Sequence, residues 1–180
     1  MSGILNRLRD LYRPPQLVWE LVDLNKLAVA VRHLTARQLA SHGVELQIEL
    51  APELPPVRAQ ADPLRQVLLN LLLNAQQAMP SGGTIAISTL AGQGEPGCSL
   101  RVSDTGAGIA PERLAQIFDP FASSKPQGLG LGLYISRQVV EQHGGSITIA
   151  STLGAGTTVT VWLPYREEIS DGAETYATAG

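Results

Sequence analysis

Alternation of apolar and polar residues predicts five β-strands in this 180-residue chain. The clearest lies at residues 44–50, where Val, Leu and Ile alternate with Glu and Gln, as in a strand with one face in water. Four more segments share this pattern, at residues 84–89, 99–103, 146–152 and 157–163. The last two are joined through Gly154-Ala155-Gly156, so we expect them to form an antiparallel hairpin at the end of the sheet.

Apolar residues spaced three or four apart predict three main helices. The first has an apolar face formed by Leu24, Leu27, Val31 and Leu34. The last has a similar series, formed by Leu131, Ile135 and Val139. The middle helix is expected to start with Asp62 as N-cap and Pro63 as its first residue. Because the strands are clustered rather than separated by helices, the sequence predicts an α/β fold, a two-layer α/β sandwich with a mixed sheet of about five strands covered on one face by about three helices.

A stripe of amide side chains interrupts the middle helix, which is otherwise rich in Leu and Val and is expected to be largely buried. The members of the stripe, three or four residues apart, are Gln66, Asn70, Asn74 and Gln77. Buried amides are costly unless they are paired, so the stripe needs a partner. That partner is either a set of backbone groups, or a ligand or metal ion with its water.

Two glycine-rich segments bound the stretch from residue 104 to residue 133. Asp104, at the end of a predicted strand, precedes Gly106 and Gly108, which sets an acceptor beside a backbone that is free to bend. GLGLGL at 128–133 opens onto the last helix, where free N–H groups and the helix dipole suit a phosphate chain. Either run alone could be a surface turn. Together they fit a nucleotide laid between them.

These segments resemble the catalytic ATP-binding domain of sensor histidine kinases, within the superfamily of gyrase, heat-shock chaperone, histidine kinase and mismatch-repair ATPases. The motifs that carry the resemblance are NLLLNA at 70–75, DTGAGI at 104–109, FDPF at 118–121, GLGLGL at 128–133 and GAGTT at 154–158. They look like the family's N, G1, F and G2 boxes and its last glycine motif, and the resemblance covers roughly residues 24–164. NAQQAM, with the short segment between FDPF and GLGLGL, is most similar to the nitrogen- and dicarboxylate-sensing type. The resemblance implies the Bergerat-type ATP-binding fold, with ATP and Mg²⁺ as cofactors.

The resemblance also implies roles for individual residues. Asp104 is expected to accept a hydrogen bond from the adenine amino group, Asn74 to bind Mg²⁺, and Asn70 to orient water or phosphate. Lys125 lies in an expected mobile cover at 122–127, where it either reaches the terminal phosphate as a catalytic cation or is a solvated loop lysine. Phe118 and Phe121 would seat this cover on the domain or simply pack in its core. The expected nucleotide-binding residues are Asn70, Asn74, Asp104, Gly106, Gly108, Ile109, Phe121, Gly128, Leu129, Gly130, Leu131, Gly132, Leu133 and Thr157.

Two departures from the family's pattern bear on the reaction. Asn70 occupies a position at which the ATP-hydrolysing members of the superfamily, like many of its protein kinases, carry a glutamate. That glutamate acts as the base for water or a hydroxyl group. An amide cannot take up the proton of water, which favours a histidine kinase over an ATPase. Gln77 stands where many relatives carry lysine, which keeps a degenerate nucleotide-binding regulatory module as a further alternative.

The family's phosphoacceptor is a helical histidine followed by an acidic residue, and this chain shows none. Its three histidines are followed by other residues: Leu after His33, and Gly after His42 and His143. The resemblance therefore implies transfer of the γ-phosphoryl group to a histidine on separate dimerisation helices of the same kinase, a homodimer at full length, and then to a response regulator. The isolated chain is expected to bind Mg²⁺-ATP without labelling itself.

Composition adds expectations about partners and compartment. A net charge of −3 gives no basic footprint, so nucleic acid is not expected as a partner. The single cysteine fits a reducing compartment, and no apolar run reaches the roughly 20 residues of a membrane span. We expect a cytoplasmic domain without membrane contact, in a parent protein that can be membrane-anchored. Residues 1–15 are interpreted as the end of a dimerisation-hairpin helix or a cloning remnant, 16–165 as the ATP-binding catalytic domain and 166–180 as a disordered polar tail.

Overall fold

The centre of the computed structural model, which describes residues 18–92, 95–121 and 130–165, is a mixed β-sheet. The strands within these ranges are β1 (Glu20–Val22), β2 (Val44–Glu49), β3 (Val57–Ala59), β4 (Gly83–Ala91), β5 (Gly97–Asp104), β6 (Ser146–Thr152) and β7 (Gly156–Pro164). Five of them form the main sheet in the order β2-β4-β5-β7-β6. β2 and β4 are parallel, and the other neighbouring pairs are antiparallel. The five predicted strands and the terminal hairpin are confirmed.

Helices cover one face of this sheet. They are α1 (Leu24–Ser41), α2 (Ala61–Gln77), the short α3 (Pro111–Leu114) and α4 (Gly132–Gln142). Alternate residues of the central strands are buried beneath the helices, as Val102 and Val161 are, whereas Arg101 on the opposite face of β5 is exposed. α2 packs against both α1 and α4. The predicted two-layer sandwich is confirmed, with three long helices and one short helix among the described residues.

β1 and β3 form a separate two-stranded antiparallel sheet that the sequence did not predict. Each strand has only three residues, which is too few for an alternating pattern to stand out. Val22, Val57 and Ala59 are nevertheless buried and belong to the core.

The predicted apolar faces of two helices are wrong at one position each. Leu34 is 67% exposed, and Ile135 is 45% exposed. Because successive residues turn a helix by about 100°, Leu34 lies about 80° around the helix from Leu24 and falls outside the buried sector. In α4 the buried residues are Ser136 and Val140, and Ile135 lies about 100° from Ser136.

The start and the burial of α2 also differ from the prediction. α2 begins at Ala61 with Gln60 as its N-cap, so the assignment of Asp62 as N-cap is wrong. Asp62 instead lies in the first turn, where it pairs with Arg65 and interacts favourably with the helix dipole. Leu73 is 45% exposed, so α2 is less completely buried than expected.

Several predictions concern segments outside the described residues. These segments are the N-terminal residues 1–15, the cover at 122–127 with Lys125, and the tail at 166–180. Of the helices in the described ranges, none combines the length and apolar character needed to cross a lipid bilayer.

Candidate functional site

A cavity of about 260 Å³ lies between the helix layer and the sheet, at the end of the sheet where β5 ends and β7 begins. Its polar lining residues are Asn74, Asp104, Arg113 and Thr157. Apolar side chains from both layers complete the wall, among them Leu71 and Leu133 from the helices and Val102 and Val159 from the sheet. Two larger depressions lie at the opposite end of the sheet, around Leu90 and Arg101, and neither is lined by a residue predicted for the site.

Asp104 is the half-buried last residue of β5 and lines the cavity. Its Oδ1 atom accepts a hydrogen bond from the backbone N–H of Gly106 at 2.8 Å. Burial raises the pKa of Asp104 above its ordinary value, while hydrogen bonds from the backbone N–H groups of Gly106 and Thr157 act in the opposite direction. The sheet therefore presents a carboxyl group in surroundings that favour pairing with a hydrogen-bond donor.

The loop after Asp104 is clamped between α2 and the hairpin of β6 and β7. A Cβ atom on Gly106 would lie 2.7 Å from the carbonyl oxygen of Ala78, and the N–H of Ala107 donates to that same oxygen at 3.1 Å. Gly108 has a φ of +68°, and a Cβ atom there would collide with the carbonyl oxygen of Thr152. Both glycines are thus needed for the loop to lie this close to its neighbours.

The amide stripe of α2 divides into two parts. Asn74 lines the cavity. Asn70, one turn earlier, accepts a hydrogen bond from Gln66 at 3.2 Å between Oδ1 and Nε2. The Cγ atom of Asn70 is 4.0 Å from the position that a Cβ atom on Gly132 would take, so Asn70 lies beside the start of α4.

The N-terminus of α4 adjoins the same cavity. Gly130 has a φ of +67° and turns the chain just before Leu131, the N-cap residue, and Leu133 in the first turn lines the cavity. Helix N-termini leave backbone N–H groups without partners inside the helix. Gly128, Leu129 and Lys125, which were predicted for the phosphate end, lie outside the described residues.

The two phenylalanines of the FDPF motif take different positions. The Phe118 ring lies 5.8 Å from the guanidinium carbon of Arg137 on α4. Phe121 is 71% exposed, has a φ of +65° and does not line the cavity, although it was predicted to bind the nucleotide. Ile109 and Thr157, both predicted from the motifs, do line it.

Ser151 on β6 was missed by the sequence analysis, yet it links the three segments that shape the cavity floor. Its Oγ atom accepts from the N–H of Ile109 at 2.8 Å and donates to the carbonyl oxygen of Gly156 at 2.9 Å. The same atom lies 2.8 Å from Oγ1 of Thr157. The sequence did contain one indication of this role. Ser151 follows Ile147 and Ile149 at intervals of two residues, so it is a polar residue on the inward, otherwise apolar face of β6.

Arg113 was missed as well. It lies on the short α3 and lines the cavity together with Ile117 from the segment that follows α3. No periodic pattern marks a basic residue on a four-residue helix as part of a site.

Comparison with known families agrees with this geometry. The family model described as Histidine kinase-, DNA gyrase B-, and HSP90-like ATPase matches residues 59–167, more than half of the chain. The chain belongs to this family.

Sensor histidine kinase ZraS of Escherichia coli strain K12 is 39% identical over 164 residues, which cover 91% of this chain and 35% of that protein. The signal transduction histidine-protein kinase AtoS of the same strain is 36% identical, over 91% of this chain and 27% of that protein. The chain thus spans about a third of the length of these curated relatives.

Solved structures give the same fold. The catalytic domain of histidine kinase ThkA has a TM-score of 0.73 and 30% identity, and the match covers 82% of this chain and 96% of that one. Full-length ShkA in complex with AMPPNP has a TM-score of 0.75 and 29% identity, over 90% of this chain and 34% of that one. The resemblance and the fold expected from the motifs are therefore confirmed.

Proposed function

We propose that this chain is the ATP-binding catalytic domain of a sensor histidine kinase, which transfers the γ-phosphoryl group of ATP to a histidine on separate dimerisation helices. The observation that carries the proposal is Asp104, a half-buried carboxyl group lining a cavity of about 260 Å³ that α2, the glycine loop and α4 enclose. The similarity to ZraS and AtoS supports it, because the names of both describe histidine kinases.

The base of the nucleotide would bind over Asp104. Its carboxylate offers an acceptor to the adenine amino group, and Ile109, Ile149 and Val159 give the cavity apolar surface against which the ring would pack. Gly106 and Gly108 would keep the backbone low beneath the base, because any larger residue would push the loop away from Ala78 and Thr152.

Mg²⁺ would be held by Asn74, which lines the cavity and whose neutral amide oxygen is a hard ligand. In the part of the chain that the structure describes, no group of three or more His, Cys, Asp or Glu residues could hold a metal ion. The other ligands would be phosphate oxygens and water, which is the coordination that Mg²⁺ favours beside nucleotides. The ion supplies charge neutralisation at the phosphates when it is bound.

The phosphates would lie towards Asn70 and the N-terminus of α4. The N–H groups near Gly130, Gly132 and Leu133 suit phosphate oxygens, and Lys125 would add a cation. Asn70 would orient the terminal phosphate without removing a proton from water, since an amide is not a general base. Catalysis would then rest on positioning, and an imidazole nucleophile from another segment would attack the phosphorus atom.

The partners of such a domain follow from the same proposal. The dimerisation helices of the same kinase would supply the histidine within a homodimer, and a response regulator would receive the phosphoryl group. The domain would act in the cytoplasm, and the full-length kinase that contains it can be anchored in the membrane.

The deciding experiment offers γ-labelled ATP and Mg²⁺ to the 180-residue chain, alone and with the dimerisation helices of a sensor kinase added in trans. We expect acid-labile, base-stable label on the added helices and none on the chain itself. A helix pair with its acceptor histidine replaced by glutamine is the control and stays unlabelled. Rapid release of phosphate without the helices would instead identify an ATPase, and the absence of nucleotide binding would refute the proposal.

A further inference from the structure

We propose that Ser151 determines which purine the cavity accepts, because it fixes the direction of the Thr157 hydroxyl proton. The inference rests on the proposed function, in which the cavity holds the base of a nucleotide. It assigns a positioning role to a residue outside the glycine motifs.

The proton count at Ser151 leaves a single arrangement that satisfies every contact. The Ser151 hydroxyl has one proton and two acceptor sites. The carbonyl oxygen of Gly156, at 2.9 Å, can only accept, so it takes that proton. The N–H of Ile109, at 2.8 Å, occupies one acceptor site. The Oγ1 atom of Thr157, also at 2.8 Å, must then donate its own proton to the remaining site.

This arrangement determines what Thr157 offers to the cavity. Thr157 lines the cavity and is only 8% exposed. Because its proton points to Ser151, its oxygen can face a ligand only as an acceptor. Asp104 pairs with Thr157 in the ladder of β5 and β7, and its carboxylate is also an acceptor. The floor of the cavity therefore presents two acceptors and no side-chain donor from this pair.

Asp104 by itself distinguishes purines poorly. A carboxylate accepts the amino hydrogen of a 6-aminopurine, but it can also accept the N1–H of a 6-oxopurine. The Thr157 hydroxyl beside Asp104 therefore decides between the two bases. As an acceptor, its oxygen can bind the second amino hydrogen of adenine, whereas it repels the carbonyl oxygen of hypoxanthine. A hydroxyl free to rotate would instead donate to that carbonyl oxygen and pair with either base.

The surroundings of Ser151 hold the arrangement in place. Gly156 packs so closely on β5 that a Cβ atom there would collide with the carbonyl oxygen of Asp104. The carbonyl group that takes the Ser151 proton therefore has little freedom to move. The N–H of Ile109 belongs to the loop clamped between Ala78 and Thr152, so the donor on the other side is also fixed.

The test compares ADP with inosine diphosphate, both with Mg²⁺, by calorimetric titration at about pH 8, where carboxyl groups are ionised. The quantity of interest is the ratio of the two dissociation constants, measured for the wild type, Ser151→Ala, Thr157→Val and the double variant. Ser103→Ala is the matched control, because Ser103 and Thr158 form a similar hydroxyl pair at 2.9 Å on the opposite face of the sheet.

We expect the wild type to prefer ADP, and Ser151→Ala to lower that preference by about five- to tenfold, which corresponds to one hydrogen bond. Thr157→Val should lower it similarly, and adding Ser151→Ala to Thr157→Val should lower it no further, since both changes act through one hydroxyl. Ser103→Ala should retain the wild-type ratio.

Three results would overturn the inference. The first is a loss of affinity for both nucleotides by the same factor in Ser151→Ala, which indicates a purely structural serine. The second is an unchanged ratio in Thr157→Val, a variant that remains informative if Ser151→Ala does not fold. The third is a wild type that binds both nucleotides equally, which leaves nucleotide binding standing but removes the selectivity. A wild type that binds neither nucleotide refutes the proposed function together with this inference.

Discussion

Replacement of Asp104 by asparagine should weaken nucleotide binding and at the same time stabilise the unliganded chain. Burial raises the pKa of Asp104, so folding favours its protonated form. The stability that this group contributes is fully present below the pKa it has in the unfolded chain, and it is lost as the pH rises through the higher folded value. At neutral pH the ionised group therefore opposes folding. Asparagine carries no charge, so it removes this unfavourable contribution to the free energy of folding. Its amide oxygen can still accept the hydrogen bond from the N–H of Gly106.

The expected loss of affinity follows from the hydrogen bond that the carboxylate would form with the base. Removing a hydrogen bond to a charged group typically costs about 1.5–3 kcal/mol, which is roughly 10- to 100-fold in the dissociation constant. The same group predicts a pH effect: the affinity of the wild type for ADP should fall as the pH is lowered, beginning above the pH at which an ordinary aspartate titrates. In Asp104→Asn, the affinity for ADP should lack this pH dependence.

Calorimetric titration with ADP and Mg²⁺ measures the affinity, and thermal unfolding without nucleotide measures the stability. Asp62→Asn is the matched control, since it removes the same charge from the first turn of α2. Asp62 is separated by 16 residues from Ala78, which contacts Gly106, or by about 24 Å along a helix. Wild-type affinity in Asp104→Asn would refute the assignment of the base, and a lower melting temperature would refute the argument from burial.

Three further predictions concern stability and reactivity. Ser136→Ala should raise the free energy of unfolding in urea by about 1 kcal/mol, because the buried Ser136 hydroxyl has no hydrogen-bond partner among the described residues; destabilisation of that size would mean a partner exists. Gly154→Ala should cost about 1 kcal/mol for its positive φ alone, whereas Gly108→Ala adds a collision with Thr152 and should cost clearly more, so equal costs would contradict the packing. Burial raises the pKa of Cys98 to about 11, so a thiol reagent should react with the folded chain far more slowly than with the urea-unfolded chain.

Much of the fold was predictable because the sheet has one covered face. Each strand of the main sheet is long enough for alternation to appear, and residues such as Val102 and Val161 are buried where the pattern places them. The helices were less accurately described. A spacing of three or four residues places apolar side chains on one side of a helix but does not fix which side is covered, and Ile135 is exposed because it lies about 100° from the buried Ser136. β1 and β3 are too short to carry any pattern.

The candidate site was predictable wherever function depends on a local backbone shape. Asp104 ends a strand, and Gly106 and Gly108 follow it in a loop that only glycine permits, so the motif itself encodes the geometry. Arg113 reaches the cavity for a different reason: the path of the chain between β5 and α4 brings α3 against it. Such a contact depends on tertiary packing and leaves no trace in local spacing.

Two serines show the limit of sequence patterns more sharply. Ser136 on α4 and Ser151 on β6 both occupy positions on the inward side of an amphipathic element. Within the described residues, the Ser136 hydroxyl has no partner, whereas the Ser151 hydroxyl has three. The same substitution by alanine should therefore stabilise the chain at Ser136, while at Ser151 it should remove the group that directs the Thr157 proton. Hydrogen-bond satisfaction depends on atoms from distant segments, so only the folded arrangement separates a serine that fills space from one that shapes a binding site.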